Sequence, residues 1–136
     1  FAKEDEAETL EIVLTDRASG LKAHLLYGVF PHLDVITRAV RLENTGTAPI
    51  TVKKAMSVEI DYEYRELDAV HFYGRHIMER QMERTHLGHG NWSVGSIRGT
   101  SSHHHNPFVI LCDRNTEETY GDCYGYALAY SGKLLI

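Results

Sequence analysis

At 136 residues, the chain has the length of one domain and enough material to bury a core. Its 43% hydrophobic and 24% charged residues are ordinary for a soluble globular protein. A net charge of −5 with no basic stripe argues against a nucleic-acid partner held by phosphate contacts, and no apolar run approaches a membrane span.

Phe1 stands where an initiator Met is expected, so we expect a piece of a longer polypeptide. A charged stretch follows at Lys3, Glu4, Asp5, Glu6 and Glu8. Leu10, Ile12 and Leu14 then alternate with Glu11 and Thr15, a period of two that predicts a strand. Asp16 to Gly20 supplies turn residues, with Gly20 free to take positive φ. A second strand is predicted over Leu21–Phe30, interrupted by Pro31. A third, Val35–Leu42, places Ile36, Val40 and Leu42 on one face with Arg38 among them.

Asn44 to Pro49 is the strongest turn signal and predicts a hairpin into the next run. That run is the clearest strand by pattern. Ile50, Val52, Met56, Val58, Ile60, Tyr62 and Tyr64 share one face, with Lys54 the exception; Lys53, Ser57, Glu59, Asp61 and Glu63 share the other. The stretch from His76 to Gly88 contains good helix formers, including Met78 and Met82 four apart. It lacks a clear N-cap and Gly C-cap pair and lies among strands, so the extended form is favoured. Further strands are expected at Trp92–Ile97, Phe108–Asp113 and Tyr124–Tyr130. The fold class is all-β, an antiparallel sandwich or barrel. The closing Lys133-Leu134-Leu135-Ile136 has no polar turn, as if a further strand or another terminus belonged there.

Cys112 and Cys123 flank a predicted hairpin loop, Asp113–Asp122. They can face each other across two strands, so a disulfide is open; two buried reduced thiols is the preferred reading. His103, His104 and His105 are the sharpest candidates for chemistry. On a strand, His103 and His105 share a face roughly 6 to 7 Å apart. An H-x-H pair can share zinc or iron, but metal sites need three or four converging ligands. No matching carboxylate spacing accompanies this pair or His86 and His89, so no metal and no cofactor is assigned. Glu59, Asp61 and Glu63 are spaced like glycosidase carboxylates, but they read better as a solvated sheet face. No nucleophile elbow or phosphate loop occurs. The many tyrosines fill a core in the plainer reading, while exposed aromatics could stack on sugars. A stand-alone carbohydrate-binding module is therefore the alternative function.

The run "NWSVGSIRGTSSHHHNPFVIL", with upstream "PHLDVITRAVRLENTGTAPITVKKAMSVEIDY", resembles the N-terminal β-domain of bacterial α-galactosidases of glycoside hydrolase family 36. Ser101 to Phe108 is the specific part, and the pattern from Asp34 to Gly46 supports it. The resemblance spans nearly the whole chain and departs only at the final "GKLLI". It implies an antiparallel β-sandwich, part of a β-supersandwich of the galactose-mutarotase-like kind, read as one partial domain over residues 1–136. It implies that both catalytic aspartates belong to a separate (β/α)8 barrel of the same parent chain, so no catalytic or substrate-binding residue is assigned here. The parent is then a cytoplasmic homo-oligomer that cleaves terminal α-galactosides such as melibiose and raffinose with retention. The scaffold role assigns Trp92, Arg98, His103, His105 and Asn106 to a packing surface. Arg98 offers five fixed donors to a carboxylate, and Trp92 is an interface anchor. Asn106-Pro107 is expected to end strand pairing, since Pro lacks a donor.

Overall fold

The computed structural model describes residues 7–63, 65–100, 102–129 and 134–135. The first six residues, Tyr64, Ser101, Tyr130 and most of the closing stretch lie outside the described residues. Every sheet is antiparallel, and no helix occurs among the described residues. The all-β class follows the sequence. The chain divides into two compact units, residues 1–61 and 62–136.

The first unit is a three-stranded sheet of β1 (Glu8–Thr15), β2 (Leu21–Phe30) and β3 (Val35–Asn44), in that order. The register places Leu10, Ile12 and Leu14 across from Tyr27, Leu25 and Ala23. These in turn face Arg38, Val40 and Leu42. Directly opposed residues share a face, so one side of the sheet is apolar, with Arg38 stacked 4.3 Å over the Tyr27 ring. The other side carries His24 between Glu11 at 2.6 Å and Glu43 at 3.0 Å. His24 is the one buried residue among the described residues of this unit. Leu10, Leu14, Leu42 and Ile36, the last 67% exposed, leave the apolar side largely open.

The β1–β2 turn forms as its residues dictate. The Asp16 carboxylate accepts the Ala18 N–H at 3.0 Å and the Ser19 N–H at 3.3 Å. Hydrogen bonds from the Ser19 hydroxyl and the Ala18 amide hold its pKa below the usual value. Gly20 adopts φ +76°, and a Cβ there would come within 2.7 Å of the Gly46 nitrogen. Thr45 donates its N–H to the Gly20 carbonyl at 2.9 Å.

That contact corrects the hairpin expected at Asn44–Pro49. The turn folds back on Gly20, and residues 50–63 form no strand. Alternation specifies which face a strand would bury, but a ladder also needs a neighbour's backbone. Among the described residues this segment has none. Val52, Met56 and Ile60 are exposed.

The second unit holds a four-stranded sheet in the order β5 (Met78–His86), β4 (Leu67–Arg75), β7 (His105–Asp113), β8 (Cys123–Ala127). A short ladder joins β6 (Gly95–Ser96) to β9 (Leu134–Leu135). The buried apolar residues are Leu67, Ala69, Val70, Val94, Val109 and Cys112. Half of them belong to β4, to which the sequence reading assigns no element. The first five residues of its run LDAVHFYGR are buried on both faces, so that part shows no alternation. The expected extended form of the Met/Glu/Arg-rich segment is observed as β5, where the edge position and its charged side chains suit each other. The strand expected over Trp92–Ile97 shrinks to Gly95–Ser96, and that expected from Tyr124 becomes Cys123–Ala127.

Pro107 does not end pairing but lies inside β7, between two neighbours. The β4–β7 register jumps from His71↔Val109 to Tyr73↔His105, so three residues of β7 oppose Phe72 alone. Pro107 sits at this irregularity, where its missing N–H breaks no regular ladder bond. Its carbonyl still accepts Leu128 N–H at 2.9 Å.

Candidate functional site

The sequence candidates fall in the second unit, and the structure gathers some of them. His71, from the buried centre of β4, is the hub. Its ring lies 5.6 Å from Trp92, edge to face, and 6.4 Å from His105, stacked. Tyr73 is 5.9 Å away. Glu83 approaches His71 Nε2 at 3.7 Å from the neighbouring edge strand. His71 is 8% exposed, and Nδ1 of both His71 and His105 is buried without a hydrogen-bond partner among the described residues. Trp92 and His105 each lie against the His71 ring. His71 was missed because it reads as one polar residue inside an apolar run; that anomaly was the available signal.

His103 and His104 correct the expected alternation. Ser102 bridges His105, and the His104 N–H donates to the Ser102 hydroxyl at 3.3 Å. The segment is a turn, and the strand begins at His105. A serine side chain competing for backbone hydrogen bonds favours the turn. The His103 and His104 rings consequently stack at 5.1 Å instead of diverging. Arg98 is exposed and makes no side-chain ion pair among the described residues. Its charge is the main influence pushing the His104 pKa down, ahead of burial and the two flanking histidines. Asn106 is half-buried in β7.

The other face of the sheet carries a second polar group. Asp68 is buried and accepts Arg84 Nε at 2.6 Å, with His86 Nδ1 at 3.0 Å. Burial pushes its pKa up, but the His86 and Arg84 contacts outweigh that and hold it below the ordinary value. Arg84 continues to the β7–β8 loop, donating to the carbonyls of Asp113, Arg114 and Thr116. Arg65 grips Asp113 with two bonds, at 2.7 and 2.6 Å, which raise its pKa together with Tyr124. The tyrosines partly fill in: Tyr62 and Tyr124 rings lie 5.4 Å apart, and the Tyr62 and Tyr126 hydroxyls share a hydrogen bond.

Among the described residues no three His, Cys, Asp or Glu side chains converge as metal ligands would. Glu59, Asp61 and Glu63 lie exposed in the unladdered segment, not in a row across a strand. What the described residues offer is a cluster of two imidazoles and an indole, with the Arg98 guanidinium exposed.

These features define an all-β antiparallel domain. The chain belongs to the glycosyl hydrolase family 36 N-terminal domain family, whose description matches residues 1–136. It is 54% identical over 132 residues to the bifunctional alpha-galactosidase/sucrose kinase AgaSK of Mediterraneibacter gnavus, covering 97% of this chain and 14% of that protein. Alpha-galactosidase AgaA of Geobacillus stearothermophilus is 41% identical, covering 97% of this chain and 18% of that one. Among solved structures, the galactosidase domain of AgaSK superposes with a TM-score of 0.94 at 53% identity, over 99% of this chain and 19% of that chain. The antiparallel β-sandwich class expected from the sequence is the class shared with these structures. The chain thus spans less than a fifth of the length of these relatives.

Proposed function

We propose that this chain is the non-catalytic N-terminal β-sandwich portion of an α-galactosidase, supporting a catalytic (β/α)8 barrel of the same parent chain and the assembly of a cytoplasmic homo-oligomer. The parent cleaves terminal α-galactosides such as melibiose and raffinose with retention. The observation that carries the reading is a family match over the whole chain, set against relatives named as α-galactosidases that are five to seven times longer.

The surface supports a supporting role. Among the described residues, exposed apolar side chains lie on the open side of the first sheet, in the unladdered segment 50–63, and at Ile77 and Ile97, at 81% and 87% exposed. Exposed apolar surface of this kind suits an interface. In the second unit, Trp92 and His105, each packed on His71, offer an anchor, and exposed Arg98 offers a fork for a carboxylate.

The test is substitution in the full-length enzyme. Arg98→Ala and His105→Ala are expected to weaken oligomer assembly or lower the melting temperature while leaving kcat of the assembled enzyme within about threefold, as a supporting role requires. Normal assembly with abolished turnover would contradict the proposal.

A further inference from the structure

Cys112 and Cys123 sit directly opposite each other where β7 pairs with β8. Two backbone hydrogen bonds fix the kind of pair they form. Asp113 donates its N–H to Asp122 O at 3.5 Å, and Leu128 donates to Pro107 O at 2.9 Å. In an antiparallel ladder, hydrogen-bonded and non-hydrogen-bonded pairs alternate. Positions 113 and 107 are hydrogen-bonded, so 112, an odd number of residues from each, is not. At such a position the Cα atoms stand about 4.5 Å apart and the side chains project together. A disulfide accepts Cα separations of roughly 4.4 to 6.8 Å. The pair is within reach at the short end of that range.

The two thiols have unequal surroundings. Cys112 is 4% exposed, with its Sγ 3.8 Å from the Asp68 carbonyl. Burial pushes its pKa up, against the pull of the Arg84 guanidinium. Cys123 is exposed on the edge strand. An oxidant in solution meets Cys123 first, and Cys112 waits beneath it. That is the layout of an attacking and a resolving thiol.

We propose that Cys112 and Cys123 form a reversible thiol–disulfide pair that responds to a small-molecule disulfide. The Cys123 thiolate attacks one sulfur of the oxidant, whose S–S bond breaks and releases one small thiolate. The mixed disulfide on Cys123 is then attacked by the Cys112 thiolate, which expels the second small thiolate and closes the Cys112–Cys123 bond. The protein loses two electrons and the oxidant gains them. The two cysteine protons end on the two small thiols. The closed bond joins the ends of the Asp113–Asp122 loop, whose carbonyls hold Arg84, and staples the edge strand β8 to β7. The inference rests on register and exposure and is independent of the proposed function.

Oxidised glutathione, applied to the full-length natural protein and followed by peptide mapping in a mass spectrometer, tests it. Both thiols are expected to disappear together into one intramolecular disulfide, fully restored by dithiothreitol. Cys112→Ser should accumulate glutathione on Cys123, and Cys123→Ser should slow modification of Cys112 at least tenfold. Wild-type protein that holds glutathione on Cys123 with Cys112 free would overturn the proposal, as would failure of both thiols to react. The wild-type map decides the matter even if the serine at 112 prevents folding.

Discussion

Asp68 shows how a single buried carboxylate ties the second unit together. It sits on the central strand and joins two residues of β5, one of which reaches on to the β7–β8 loop. Because its folded pKa is held down, its stabilising contribution is present above the unfolded Asp value of about 3.9 and is lost as pH falls through the folded pKa. Asp68→Asn is therefore expected to cost about 2 kcal/mol near neutrality. The gap to wild type should narrow below pH ~4 in urea titrations. A gap that stays constant down to pH ~3 would mean the charge of Asp68 is not what matters. At the same scale, Trp92 and His105 were named through the family resemblance, while His71, whose ring both approach, left only the local signal of one imidazole in an apolar run.

At the scale of elements, pattern and pairing separate. β1, β2 and β3 alternate, pair and appear where the sequence places them. Residues 50–63 alternate better than any of these and pair with nothing among the described residues. β4 does not alternate and pairs on both sides. Alternation reports that one face of a strand is wet; a strand buried on both faces is silent, and a segment that alternates without a paired neighbour is loud but unladdered. The same logic explains Pro107, whose fate depended on a bulge opposite Phe72 that only the partner strand reveals. Hydrogen exchange on the isolated chain gives the check. Amides of 50–63 should exchange at least about a hundredfold faster than those of β4. In the full-length enzyme they should become protected. Equal protection in both would mean that the segment already has its partner within this chain.

At the scale of the whole molecule, the chain has too little core for its surface. Among the described residues, the buried apolar side chains lie in one unit and no large side chain is fully buried. Sheets in that condition recruit other copies through open edges and faces. Sedimentation velocity on the isolated chain should show concentration-dependent association. Placing charges on the open apolar face, as in Leu14→Glu with Ile36→Lys, should weaken it at least tenfold. A monomer across the accessible concentration range would count against an unfinished interface.

The central claim is that this β-domain supports chemistry done elsewhere in a longer enzyme. The most direct measurement is galactose release from raffinose and melibiose by the isolated chain and by the full-length protein at equal molar concentration. The account predicts release by the full-length protein and none above background by the chain alone. Galactose release by the isolated chain would contradict it.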